Sequence, residues 1–313
     1  MKVKMILPAL TEARSPFWRP IKYSLFPPLG LATLAAYLRD GDEVDIQDEH
    51  VETLDLDGRP DLVVIQVYIT SAHRAYRLAD WYRRRGAHVA LGGLHVTSLP
   101  TEAACHADTI FIGPGEDTWP AFLDDFRHDR PGRVYRSQNR TLVGLPPTRR
   151  DLIKRHLYLV PNSIVVSRGC PHVCDFCYKE AFFQGGHSFY TQTVDAALAE
   201  IDRLPGRHLY FLDDHLLGAP RFAAALFEGM RGMGTALAGG WYRDVGGRAE
   251  AARASSGLRL TQPVRRLRDA RFNESARTAE VPEPASQLHR RDYPAARPRC
   301  DDQRELRVRH GSR

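Results

Sequence analysis

The sequence predicts an α/β protein with a Rossmann-like parallel sheet, a second and incomplete βα series, and a disordered tail. Three observations carry this. Apolar strand runs alternate with amphipathic helical runs up to residue 126. A second strand–helix series opens at NSIVVSRGC (162–170). Near Gly234 the composition changes and all periodicity stops. Strands alternating with helices imply βαβ units and an open parallel sheet covered on both faces.

VKMILPA (3–9) reads as a buried strand. Pro27-Pro28-Leu29-Gly30 then leads into LATLAAYLRD, apolar at helical spacing. EVDIQDE (43–49) is the next strand, and DLVVIQVYIT (61–70) is a continuous β-branched run of the kind parallel sheets bury. Ser71 is expected to cap the following helix, AHRAYRLADWYRRRG, which Gly86 closes. AHVALGG (87–93) and ADTIFIGPGE (107–116) are strands ending in glycine turns, and WPAFLDDFRHD is a helix. Residues 127–160, rich in Arg and Pro, read as a linker. In the second series, strand SIVVS precedes a cysteine loop, helix TVDAALAEIDRL, strand HLYFLDD (208–214) and helix RFAAALFEGMRGM. The expected organisation is therefore 1–126, 127–160, 161–234 and a tail over 235–313.

The 313 residues carry a formal charge of +6, which by itself suggests a nucleic-acid partner. Its location argues against one. From Ala236 to Arg313 there are 17 arginines, no lysine and 10 acidic residues, whereas the rest has 27 basic and 28 acidic side chains. No run approaches the ~20 apolar residues of a membrane span, and MKVKMILPAL is too short in its apolar part for a secretory signal. Five cysteines, three of them clustered, fit a cytoplasmic protein with a metal or redox site better than a disulfide scaffold.

Those three stand in RGCPHVCDFCY (168–178) at C-x3-C-x2-C spacing. Thiolates bind soft or borderline metals. Zinc ordinarily takes four ligands, often in two C-x2-C pairs, and no second pair follows; His172 and His187 stand at no recognised zinc spacing, and Cys105 and Cys300 are distant. Three thiolates can instead hold a [4Fe–4S] cluster by three irons, leaving one iron open. A zinc-stabilised binding module remains the alternative.

CPHVCDFC resembles the C-x3-C-x-aromatic-C signature of the radical S-adenosylmethionine superfamily, with Phe176 as the aromatic. The resemblance implies that Cys170, Cys174 and Cys177 ligate a [4Fe–4S] cluster at the mouth of a partial TIM barrel. The open iron would chelate S-adenosylmethionine, which is cleaved reductively to a 5′-deoxyadenosyl radical. Phe176 and Tyr178 are the neighbouring cofactor contacts it implies. Asp213 and Asp214 in YFLDDH (210–215) stand where the family's second barrel strand helps bind the methionyl amino group; their other reading is an N-cap for the next helix.

FPPLGLATLAAYL (26–38), VYITSA (67–72), GGLHVTSLPTEA (92–103) and IFIGPGEDTW (110–119) resemble the cobalamin-binding domain preceding the radical domain in one branch of that superfamily. The resemblance implies a corrin held at the C-terminal sheet edge, where open α/β sheets bind ligands. Gly92, Gly93, Gly113 and Gly115 would let the backbone approach it, and Thr70, Ser71, His95 and Glu116 would supply polar contacts. DEHVET (48–53) has a histidine but not the glycine of the D-x-H-x-x-G motif that binds cobalt in cobalamin mutases and methionine synthase, so no cobalt ligand is named. The chemistry implied is radical methyl transfer or rearrangement on an unidentified small molecule, with an electron donor such as flavodoxin or ferredoxin.

The tail has its own reading. From Trp241 on, only 10 of 73 residues are Leu, Ile, Val or Phe, below the ~20% of ordinary folded chains. VRRLRDAR can be back-translated so that the +1 frame reads FVGFETLG, and CDDQRELRVRHG so that it reads VMINASFVFGM. Two further stretches behave alike in the same frame. A frameshift is therefore expected near Gly234. It leaves two legible βα units of the roughly six a radical domain needs, and an inactive fragment as the competing functional expectation.

Overall fold

The computed structural model describes residues 1–9, 24–172, 174, 177–183, 188–206 and 208–234, with backbone alone at 236–239 and 259–260. The side chains of 180 and 181 are outside this description, and so is the rest of the expected frameshifted tail.

The N-terminal region is built from β1 (Lys2–Leu7), α1 (Leu29–Ala35), β2 (Glu43–Asp48), β3 (Leu62–Gln66), α2 (Ala72–Arg84), β4 (His88–Gly92), α3 (Leu94–Ser98), α4 (Pro100–Ala103), β5 (Thr109–Ile112), α5 (Trp119–Arg127) and β6 (Val134–Arg136). The six strands form one parallel sheet in the order β2-β1-β3-β4-β5-β6. Its strands alternate between two cores, as a period of two requires. Leu62 and Val64 face one layer with Leu31, Trp119 and Phe122, whereas Val63 and Ile65 face another with Ala75, Leu78 and Tyr82. This is why β3 is a continuous apolar run: both of its faces are covered.

Local chemistry sets the element ends. Gly86, at φ +87°, ends α2 while its amide donates to Arg83 O and that of Ala87 to Tyr82 O. Ser71 precedes α2 but does not cap it; its Oγ donates back to Tyr68 O at 3.4 Å. The expected capping bond is thus replaced by a bond within the preceding turn.

Residues 127–160 are more than a linker. β6 adds an edge strand to the sheet. Further on, Arg149 N donates to Ala32 O, and Ile153 and Tyr158 are buried in the α1/α5 core. Tyr158 OH donates to Asp48 Oδ2 at 3.1 Å.

The second region contains β7 (Ser163–Ile164), β8 (Ser167–Gly169), α6 (Lys179–Phe182), β9 (Phe189–Thr191), α7 (Val194–Asp202), β10 (His208–Phe211), α8 (Pro220–Gly229), β11 (Ala236–Gly239) and β12 (Arg259–Leu260). β12-β11-β10-β7 is a parallel sheet, and β8-β9 an antiparallel pair. Ile164, Val166, Leu209 and Phe211 pack against Ala197, Ile201, Leu226 and Phe227 of α7 and α8. Thr193 caps α7 by accepting from Ala196 N at 3.2 Å.

The strand expected over SIVVS is split between two sheets. Asp213 Oδ1 accepts from Val166 N at 3.1 Å, from Ser167 N, and from Ser167 Oγ at 2.6 Å. These bonds bend the chain between β7 and β8. The parallel sheet also continues past Gly234 through β11 and β12, beyond the boundary at which the sequence loses its pattern. Among the described residues no helix is long and apolar enough to cross a membrane.

Candidate functional site

In the first sheet the chain reverses direction between β1 and β3, which opens a crevice at the C-terminal strand ends. The turns after β3, β4 and β5 rim it. Gly30, Leu34, Gln66, Gly92, Gly115 and Glu116 line a cleft of about 110 Å³ there.

The four glycines of this edge do different work. Gly93 has φ +110°, and a Cβ on it would stand 2.9 Å from Val67 O. Gly113 has φ +83°, and a Cβ would meet Ser137 Cβ at 3.1 Å. These two glycines permit close approach between segments of the fold itself. Gly92 and Gly115 leave only ordinary contacts, 3.4 Å to Phe111 and 3.8 Å to Leu34.

The polar candidates divide likewise. Thr70 is exposed, while Ser71 is buried beneath the turn. His95 is buried beside Tyr76, with Nε2 3.3 Å from Glu102 Oε1. His50 pairs through Nδ1 with Asp48 Oδ1 at 2.8 Å.

The cysteine loop leaves β8 at Gly169, whose φ is +76°. A Cβ there would lie 1.9 Å from Ser188 O, so only glycine allows β8 and β9 to pair and Cys170 N to donate to Ser188 O at 3.1 Å. Cys170, Cys174 and Cys177 are free thiols, and Cys177 N donates to Cys174 O at 3.0 Å. Among the described residues no three His, Cys, Asp or Glu side chains are gathered in a metal-binding group. Phe176, His187 and Cys300 lie outside the described residues. The donor set itself, three free thiols on one short loop, is chemically that of a soft-metal or iron–sulfur site.

Asp213 and Asp214 do not cap the following helix, whose N-cap position is Ala219. Asp213 holds the β7–β8 bend, as above, and its buried Oδ2 has no hydrogen-bond partner among the described residues. Burial pushes its carboxyl up to about 6, against the lowering effect of the Ser167 and Val166 bonds. Asp214 ties the cysteine loop at two points: Oδ2 accepts from Gly169 N and Oδ1 from Tyr178 OH, both at 3.1 Å. Burial, then the Asp214 charge, raise the Tyr178 phenol.

Three residues outside the sequence-derived set complete the site. Lys179 is buried, and its Nζ donates to Cys170 O at 2.6 Å and to His172 O. Arg168 pairs with Glu116, joining the cysteine loop to the edge of the first sheet. Arg140 Nη1 donates to Phe183 O at 2.6 Å, joining the end of α6 to the same edge. Lys179 could have been found: it is the last lysine in the chain, one residue beyond the cysteine signature's tyrosine. The pairing of Arg168 with Glu116 has no local signal, because 52 positions separate them.

Arg168 and Phe182 also border the cleft at the sheet edge. At about 110 Å³ the cleft is smaller than the ~300–1,000 Å³ usual for small-molecule sites.

The geometry thus defines a class first: a flavodoxin-like parallel sheet whose C-terminal edge is docked to a three-cysteine loop. Residues 23–123 match the family model described as B12 binding domain. The chain is 32% identical over 167 residues to bacteriochlorophyllide d C-8(2)-methyltransferase of Chlorobaculum tepidum, which covers 49% of this chain and 36% of that protein. It is 29% identical over 217 residues to bacteriochlorophyllide d C-12(1)-methyltransferase of the same organism, covering 65% and 46%. With hopanoid C-2 methylase of Rhodopseudomonas palustris it shares 29% over 220 residues, covering 65% and 40%. Residues 23–123 thus form a domain of the B12-binding type, and the chain around it is similar to methyltransferases. It spans between about a third and a half of the length of these curated relatives.

Proposed function

We propose that this chain carries the cofactor-binding part of a radical S-adenosylmethionine methyltransferase acting on a small molecule. The observation that carries this reading is the loop of three free thiols at the end of β8, tied by Arg168 and Glu116 to the edge of a B12-type domain. In the proposal Cys170, Cys174 and Cys177 hold a [4Fe–4S] cluster, which supplies the electron for reductive cleavage of S-adenosylmethionine when bound. Asp214 and Tyr178 order the loop from the β10 side. Asp213 holds the bend that aims β8 at the site, a positioning role in place of direct cofactor contact. The cluster draws its electron from a donor such as flavodoxin or ferredoxin. The relatives' names supply the methyl transfer: two are named for bacteriochlorophyllide d and one for hopanoids.

Anaerobic reconstitution with iron and sulfide tests the first part. The expected product has about four irons per chain and broad absorbance near ~400 nm; stoichiometric zinc in its place overturns the reading. Formation of 5′-deoxyadenosine from S-adenosylmethionine under strong reductant tests the second.

One observation favours a second reading. Leu, Ile, Val and Phe fall to 10 of 73 residues from Trp241 on, and the alternative frame restores strand-like patterning. In this reading the chain is a frameshifted member of the family that keeps cluster or corrin binding without turnover. The nucleotide sequence around codon 234 decides it: correction by one base either opens a frame of apolar strands or does not.

A further inference from the structure

Among the described residues, Lys179 is a charged side chain in an unexpected place. It opens α6 with its side chain buried, only 6% of the residue being exposed. Its ammonium donates to two neutral acceptors, Cys170 O and His172 O. Among the described residues no carboxylate lies within ion-pair distance of it; two described acids of the site are engaged elsewhere, Asp214 with Gly169 and Tyr178, and Asp213 with Val166 and Ser167.

A lysine rarely stays buried without a counter-charge, because desolvating an ammonium is costly and two neutral carbonyls return only part of that cost. Among the described residues the site therefore lacks negative charge where a cation has been placed. The two acceptors say where that charge belongs. Both carbonyls lie in the loop that carries Cys170, Cys174 and Cys177, and one of them is the carbonyl of Cys170 itself. A cluster bound by three thiolates is anionic and becomes more so on reduction.

We propose that Lys179 is a positioning residue and built-in counter-ion for the cysteine loop. It clamps the loop through Cys170 O and His172 O, and its charge stabilises the bound anionic cluster, most strongly in the reduced form. This rests on the cluster reading given above and deepens it by assigning the group that holds the loop and sets the cluster's poise. It follows that removing the charge makes the cluster harder to reduce and easier to lose. Partners outside the first coordination shell are typically worth ~10–100-fold in metal affinity.

The test compares the full chain with Lys179→Met, of similar length and apolar, and Lys179→Gln, neutral but able to donate to a carbonyl. Each is reconstituted anaerobically, assayed for iron and sulfide, titrated for its reduction potential, and challenged with a ferrous chelator. Circular dichroism of each apo chain reports folding. The expected result is iron loss from Lys179→Met at least about tenfold faster than from the parent chain, and a lower reduction potential in both variants. Lys179→Gln should lose iron more slowly than Lys179→Met because it keeps one clamp. Should Lys179→Met not fold, the potential and iron loss of Lys179→Gln decide the matter by the same criteria. If the parent chain takes up a cluster and the folded variants match it in potential and iron loss, the role of Lys179 is refuted while the cluster reading stands. If the parent chain takes up no cluster, both fall together.

Discussion

The two sheets of this protein obtain their stability differently. The six-stranded sheet is covered on both faces, by α1 and α5 on one side and α2 on the other. The four-stranded sheet packs α7 and α8 against a single core, and its outer strands continue into a stretch of sequence almost empty of large apolar residues. The first region is held mainly by packing, the second to a larger degree by specific polar bonds around one loop. Loss of one large buried side chain costs a packed core heavily, whereas loss of one partner from a polar network is felt first at the loop it holds. The chemistry proposed above belongs at the loop, in the half held by polar bonds.

Four changes test this contrast. The largest effect is expected at Trp119, buried against Phe122 with its indole N–H donating to Leu34 O at 2.9 Å. Trp119→Ala should cost about 3–5 kcal/mol, read by urea unfolding, with amide exchange in β8–β9 changing less than that in β4 and β5. Equal loss of protection in both regions would mean that they unfold as one body.

Arg168→Met comes next, because it leaves the buried Glu116 carboxylate without its partner. The expected cost is about 3 kcal/mol, with the single unfolding transition separating into two. A single unshifted transition would show that this pair does not couple the regions.

The third effect depends on pH. The Asp213 carboxyl sits at about 6 in the fold because of burial, above the ~3.9 of an unfolded aspartate. A raised carboxylate pKa means that the folded state holds its proton longer. Stability of the second region should therefore fall as pH rises from about 4 to 6 and then level, by about 2–3 kcal/mol in total. Asp213→Asn should flatten this profile, as followed by thermal melts across that range; a profile unchanged in the variant would assign the pH dependence to other groups.

The smallest effect belongs to Ser71→Ala. Its hydroxyl makes a long bond to Tyr68 O and none to the helix, so the change should cost no more than about 0.5 kcal/mol. A loss typical of a cap, ~1 kcal/mol or more, would show that the hydroxyl serves α2 after all.

What the sequence made legible follows the same divide. β1 to β5, α2 and α5 could be read because each is an apolar run or stripe bounded by its own turn chemistry, as with Gly86 after α2. The split of Ser163–Gly169 could not, because the group that bends it is Asp213, 46 residues on. The cysteines announced themselves by spacing, but their anchors did not: Arg168 meets Glu116, and Asp214 meets Gly169, across contacts only the folded chain creates. Glycines were legible as turns but not in purpose. Nothing local distinguishes Gly93, which makes way for Val67, from Gly115, which leaves its side open.

The stretch from Arg149 to Tyr158 has a consequence for how such chains can be recombined. It crosses back over the first sheet, placing Ile153 and Tyr158 in its core and joining Asp48 through the tyrosine hydroxyl. A swap of N-terminal halves between relatives at residue 126 would graft a core with two of its side chains supplied by a stranger. The natural seam for exchange lies after Val160, whose amide donates to Leu25 O in the last backbone bond of this crossing. The B12-binding match ends at residue 123, but packing treats the next thirty-odd residues as part of the same region.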